Sequence, residues 1–224
     1  MNLRTALQTI HRDPQWWRKI LIGGALMLTV VGYPWGAGLV VESLDFTRKG
    51  FPTPLPPWRG WGDRYVIGLF ALLIDMLFFG LPIFIGGLLF FCGGLLLAAL
   101  TQARLPWLAS LPIGALALYE LAVFGASLSP VGRLIYVDSG QVEDALGRRT
   151  VRAALRPRAR TIYLRARLRS LPAYLPAVLL ALATLLVPWP LTLLVLWLAL
   201  SALLYAHLAV VQLYAAAESD VRFG

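Results

Sequence analysis

Residues 65–100 read YVIGLFALLIDMLFFGLPIFIGGLLFFCGGLLLAAL. The 36 residues carry one acid, Asp75, and no base. As a single helix they would measure roughly 54 Å, well beyond the ~30 Å of a bilayer's hydrocarbon layer. Gly80-Leu81-Pro82 offers a break, because proline has no N–H to continue the helical ladder. The sequence therefore predicts two helices, about 65–80 and 83–102. Continuous apolar runs without period-two alternation argue against a β-barrel.

Further apolar runs flank this one. Ile20–Val41 is interrupted by GYPWG at 32–36. It reads either as one crossing kinked at Pro34 or as a re-entrant hairpin with Pro34-Trp35 at its tip. TQARLPW (101–107) is a short link to a run at Leu108–Leu128. Leu171–Val187 and Leu191–Ala217 form a last pair around Pro188-Trp189-Pro190. The chain is 59% hydrophobic with a mean hydropathy of +0.73. A soluble domain averages about 45–50% apolar. The fold class predicted is an all-α integral membrane protein with about six membrane-embedded helical segments, organised as one domain.

The polar remainder is placed, not scattered. Leu3, Ala6, Leu7 and Ile10 share one helical face, which predicts a short interfacial helix within residues 1–19. Asp13-Pro14 then reads as N-cap and first helical residue of the next helix. Trp16 and Trp17 suit a headgroup layer, and Arg18 and Lys19 can snorkel. Residues 20–128 form the first helical group, and residues 129–170 contain ten arginines against Asp138, Glu143 and Asp144. Val142, Ala145, Leu146 and Ala153 keep one apolar stripe, and Ile162, Tyr163 and Ala166 a second beyond Pro157. Two basic amphipathic interfacial helices are expected, against anionic lipid, before a C-terminal hairpin at 171–217.

The net charge is +9, and Lys19 and Lys49 are the only lysines among 20 basic residues. In this hydrophobic setting the charge reads as cytoplasmic retention and not as nucleic-acid binding. Both termini are then expected inside the cell membrane, with the N-terminal segment retained. A single cysteine, Cys92, excludes an intrachain disulfide. The charge rule also prefers residues 50–63 inside, since Arg48, Lys49, Arg59 and Arg64 surround them; this favours the hairpin alternative.

Two groups of residues are candidates for function. Asp75, Glu120 and His207 are ionisable groups within apolar runs, with Gln212 nearby. Each is costly in hydrocarbon unless paired or wet. They suit either interhelical hydrogen bonds, for example between Glu120 and His207 or a tyrosine, or an ion pathway. His207 could in principle ligate a haem or chlorophyll metal, but a lone histidine without a partner is usually structural. No cofactor is expected. The second group is the loop GFPTPLPPWRGWGD (50–63), with Pro56, Pro57, Trp58, Arg59, Trp61 and Asp63. Its prolines impose extended geometry. Asp63 is expected to cap a helix starting near Arg64. The loop reads as a rigid interfacial anchor, or as a docking surface for a partner. Gly-Gly pairs at 23–24, 86–87 and 93–94 read as close helix-packing surfaces. Ser127 and Ser129 lack a nearby histidine, and neither HExxH nor a phosphate loop occurs, so no enzyme is expected.

Trp16-Trp17-Arg18-Lys19, Leu55-Pro56-Pro57-Trp58-Arg59-Gly60-Trp61-Gly62-Asp63 and the exit Gly68-Leu69 resemble a prokaryotic multi-pass membrane family, domain of unknown function 4013. Such proteins have a Trp-Trp pair with basic residues, an apolar arm, Gly-Tyr, a charged helix and Leu-Pro-x-Trp-x-x-[Trp/Phe]-Gly-[Asp/Glu]. Gly38-Leu39 departs from the Gly-Tyr element, and Gly32-Tyr33 fits it at poorer spacing. The resemblance extends to the basic segment, Tyr174 and Tyr205-Ala206-His207…Gln212…Tyr214. It implies architecture and no activity. The functional expectation is an accessory or structural subunit packing against other membrane proteins. The alternative is a small transporter or channel using intramembrane carboxylates.

Overall fold

The structure is a computed structural model describing residues 2–101, 128–189 and 191–223. Among these residues the chain is helical, without a strand. Helices α1 (Leu3–Ile10), α2 (Trp16–Leu28), α3 (Tyr33–Arg48), α4 (Trp61–Asp75) and α5 (Leu81–Thr101) form the N-terminal part. α6 (128–139) follows. α7 (Val142–Leu146), α8 (Arg148–Ala154), α9 (Pro157–Ser170), α10 (Leu175–Ala183) and α11 (Leu191–Phe223) complete the chain. The link at 102–107 and most of the run at 108–128, with Glu120, lie outside the described residues.

Among the described residues, three helical stretches are long and apolar enough to cross a membrane: Trp61–Gly94, Pro157–Ala183 and Leu191–Val221. The first corrects the expected break at Gly80-Leu81-Pro82. A π-helical turn over Met76–Gly80 joins α4 to α5 without interruption. Pro82 lacks the N–H that would reach back four residues, and the wider turn re-routes the ladder around it. The second stretch merges two elements expected to be separate. α9 runs through a 3₁₀ turn at Leu171–Tyr174 into α10. Pro172 and Pro176 each fall in the first turn of the element they begin, where no N–H is missed.

The first apolar run folds back on itself. α2 ends at Leu28, a 3₁₀ turn covers Val30–Gly32, and α3 starts at Tyr33 with Pro34 in its first turn. The reversal thus lies ahead of Pro34-Trp35, which initiates a helix where a tip was expected. α3 and α4 then cross antiparallel at glycines. A Cβ at Gly68 would lie 1.8 Å from the Pro34 carbonyl oxygen, and one at Gly38 2.1 Å from that of Arg64. Gly23 and Gly24 likewise meet Leu204 and Ser201 of α11. At Gly87 and Gly93 the structure differs from the expected packing, whereas Gly94 is buried. Within the described residues, nothing lies within 4 Å of a Cβ built at Gly87 or Gly93.

α11 is the central post. α1, α2, α3, α9 and α10 all pack on it. The α1 stripe is covered by this helix, with Ala6 and Ile10 fully buried and Leu3 and Leu7 packed on the same cluster. α9 presents Ala159, Tyr163, Ala166 and Ser170 to the interior, and Tyr163 meets Tyr214 edge-on at 6.1 Å. The basic segment holds three short helices, α7 to α9, where two were expected. Pro157 starts the last of them.

Candidate functional site

The intramembrane candidates that the structure describes are all engaged by side chains from other helices. Asp75 ends α4 and receives Arg133 of α6 in a fork: Arg133 Nε donates to Oδ1 at 2.9 Å, and Nη2 donates to Oδ2. Ser129, one turn earlier on α6, donates to Oδ1 at 2.5 Å. Gly132 lets this face approach α4; a Cβ there would meet Ile74 and Phe78 at 3.0 and 3.1 Å. Such a bidentate pair is geometrically selective and stronger than a neutral hydrogen bond.

His207 of α11 lies beside this pair. Its Nδ1 is 3.2 Å from the Tyr174 hydroxyl, and the two rings meet edge-on. Arg167 donates to the same hydroxyl at 3.0 Å and lies over the Tyr174 ring. Tyr33, Asp75, Arg133 and His207 line a cavity of about 50 Å³, closed by Met27, Leu72 and Leu204. That volume holds a few waters at most. Gln212 is 1% exposed, with Oε1 accepting from Thr47 at 2.9 Å and Nε2 donating to Ser43 at 3.3 Å. Glu120 lies outside the described residues. Among those residues, no group of three His, Cys, Asp or Glu side chains is placed to hold a metal ion.

The loop at 50–63 is folded onto its own chain. Leu55 is fully buried, and Pro56 is buried beside it. Two cations seize the loop's carbonyls. Lys19 donates to Leu55 O at 2.7 Å and pairs with Asp13 at 2.5 Å. Arg64 donates to Pro57 O at 2.7 Å and pairs with Glu42 at 2.6 Å. Trp58 is sandwiched: its indole N–H donates to Lys19 O, Arg64 lies over its ring at 4.8 Å, and Trp61 stacks at 5.3 Å. Trp61 O accepts from Trp35 at 2.8 Å. Pro57, Arg59, Trp61 and Asp63 are exposed.

Three local expectations are corrected here. Lys19 does not snorkel; it is 9% exposed, because two oxygens satisfy it inside. Asp13 does not cap α2; its Oδ1 accepts from Gln15 N in a turn, and Oδ2 holds Lys19. Asp63 is not the cap of α4. Gly60, at φ 63°, occupies that position, and Asp63 sits in the first turn against the positive helix end.

Sequence reasoning missed the Glu42–Arg64 pair and the hub at Arg48. Arg48 joins three helix ends, meeting Asp138 at 2.8 Å and Glu218 at 2.8 Å. Burial acts to lower the affinity of this guanidinium for its proton, but the two carboxylates outweigh it and the net shift is upward. A signal existed in each case: a charged residue at the end of an apolar run.

The class that these observations define, for the described residues, is an all-helical fold with three span-capable helices and interlocked interior polar groups. The family model for the DUF4013 proteins of unknown function matches residues 21–187, which is 167 of the 224 residues. The chain belongs to that family. The match ends before α11. No curated protein and no solved structure matches.

Proposed function

We propose that this chain is a multi-pass protein of the cytoplasmic membrane, acting without catalysis as an accessory or structural subunit beside other membrane proteins. One observation carries the reading. The described polar groups expected in the membrane are spent on one another, while the apolar surface is left uncovered. Asp75, His207 and Gln212 hold neighbouring helices together. By contrast, only 18% of the Trp61–Gly94 window and 17% of the Pro157–Ala183 window is buried within the chain. Phe84, Leu89 and Leu96 on α5 and Leu179, Leu182, Leu185 and Leu186 at α10 are each more than half exposed. Exposure on this scale suits lipid and neighbouring helices, not water.

The α2–α3 pair supports the re-entrant reading of the first run. The two helices are 13 and 16 residues long, roughly 20 and 24 Å, and short of a full crossing. Their tip exposes Val30 and Val31 at 85% and 69%, a cost in water that lipid removes. The loop at 50–63 then faces the cytoplasm. The charge rule asks for a return crossing before the arginine-rich segment, and the sequence offers 108–128 for it. That puts residues 129–170 and both termini inside, with the basic segment against anionic lipid.

Affinity purification in a mild detergent, followed by mass measurement of the native particle, tests the subunit reading. A second chain at fixed stoichiometry is expected; a lone monomer refutes it. The small-transporter alternative draws support from the cavity beside Asp75, Arg133 and His207. It requires proton or ion flux in proteoliposomes that Asp75→Asn abolishes.

A further inference from the structure

A groove between α9 and α11 has the chemistry of a phosphate site. Ile162, Arg165, Ala166 and Arg169 line one wall, spaced i, i+3, i+4 and i+7 on α9. Leu213, Ala216, Ala217 and Asp220 line the other with the same spacing on α11. Small residues at Ala166, Ala216 and Ala217 make the floor, and the enclosed volume is about 80 Å³. Arg165 and Arg169 stand one helical turn apart and are both exposed above that floor. α9 carries five arginines and no acid.

The two helices run antiparallel. Arg158 donates to the backbone of Asp220 at 3.5 Å, Tyr163 meets Tyr214, and Tyr174 meets His207. Asp220 therefore marks the end where α9 begins, and Arg169 the end where α9 leads into apolar α10. Leu168, between the two arginines, and Leu171 and Leu175 beyond them are exposed at 57%, 52% and 59%. The order is a cationic notch followed by a greasy track.

We infer that this groove holds the phosphate of an anionic phospholipid, with its acyl chains laid along Leu168, Leu171 and Leu175. Arg165 and Arg169 clamp the phosphate through guanidinium hydrogen bonds. The volume admits a headgroup phosphate and leaves the chains outside. Basic pockets beside membrane helices at the cytoplasmic face are suited to such headgroups. The inference rests on the membrane placement proposed above, but not on the presence of a partner protein.

The test is native mass spectrometry of the full chain released from nanodiscs of phosphatidylcholine containing phosphatidylglycerol. Retained phosphatidylglycerol adducts are expected on the parent protein. Arg165→Gln with Arg169→Gln lowers adduct affinity roughly 30-fold, because each change removes a charge-assisted hydrogen bond to the bound phosphate. Arg148→Gln with Arg149→Gln removes the same charge elsewhere and leaves the adducts within about two-fold, since an adduct that survives release from the bilayer reports the bound headgroup and not diffuse surface attraction. Ala216→Leu fills the floor without changing charge and also lowers the adducts. Unchanged helicity and elution volume establish that each variant folds. Equal loss in both arginine pairs overturns the site, as does no loss in either. Stabilisation by inorganic phosphate without retention of phosphatidylglycerol overturns the lipid assignment. Extraction of the protein by alkaline carbonate is a separate result, and it refutes membrane placement itself.

Discussion

Replacing Asp75 by Asn removes a charge while keeping the side chain's size, and it separates a structural from a transporting role. The carboxylate takes two hydrogen bonds from Arg133 and one from Ser129. The side chains of Arg133 and Asp75 are 14% and 26% exposed, so neither is fully dry. Breaking a fully buried pair by removing one partner costs about 3–5 kcal/mol. Partial exposure reduces this to about 2–3 kcal/mol, or roughly 30- to 150-fold in the folding equilibrium. Arg133→Met should cost a similar amount. The double change Asp75→Leu with Arg133→Met should return to within about 1 kcal/mol of the parent, because an apolar pair of similar volume needs no partner. Unfolding in mixed micelles by a denaturing detergent, read by tryptophan fluorescence, compares these variants with the parent and with Asp75→Leu, the single that closes the cycle with Arg133→Met. If Asp75→Asn leaves stability within about 0.5 kcal/mol, or the double variant equals the sum of the singles, the pair does not hold α4 to α6. Preserved proton flux in the stable double variant would also remove Asp75 from any transport path.

Gly68→Ala needs its new methyl to withdraw from 1.8 Å to ordinary contact at 3.4 Å from Pro34 O, a retreat of 1.6 Å, and should destabilise by about 3 kcal/mol or more. Gly87→Ala meets nothing within 4 Å among the described residues and should be neutral or stabilising in the same unfolding assay. Lys19→Met leaves Asp13 and Leu55 O without their cation and should free the loop, detected as faster proteolysis between residues 50 and 60 and a cost of about 2–4 kcal/mol. Thr53→Cys in a Cys92→Ala background should react with a charged maleimide in inverted vesicles and not in intact cells; the reverse pattern refutes the re-entrant placement of α2 and α3.

How much of this was legible depends on whether the signal is local. Apolar length alone marks α4–α5 and α11 as helices, and the stripe at Leu3, Ala6, Leu7 and Ile10 marks α1. The same stripe reads identically whether lipid or α11 covers it, so the covering partner is invisible to periodicity. Pro82 signals a broken ladder, but a π turn and a helix end are equal solutions for a missing N–H, and packing of Phe78 on Gly132 accompanies the former. Pro34 fits a tip or a first helical turn equally well. The candidate residues Asp75, His207 and Gln212 stand out because charge and amide in an apolar run are conspicuous. Their partners are not conspicuous. Arg133 lies 58 positions from Asp75 and reads as one more arginine of a basic segment. Lys19 and Arg64 look like headgroup ligands until Leu55 O and Pro57 O arrive opposite them.

The proline-rich loop gains its meaning from those two cations. Proline strips the loop of donors, and its extended backbone leaves carbonyl oxygens without partners. Lys19 on α2 and Arg64 on α4 supply the missing donors, and each is itself neutralised by a carboxylate, Asp13 or Glu42. The loop thus ties α2 to α4 across the helix between them. α3 is locked from the other side by Gln212 and by Glu218 through Arg48. These ties converge on α2, α3, α4 and α11, and none of them involves α5 or α10. On the proposed reading, α2, α3, α4 and α11 form the rigid body, and the exposed faces of α5 and α10 are what it holds out to a neighbour. A partner should then crosslink from α5 or α10 and not from the loop, whose Trp58 and Leu55 are already occupied within the chain.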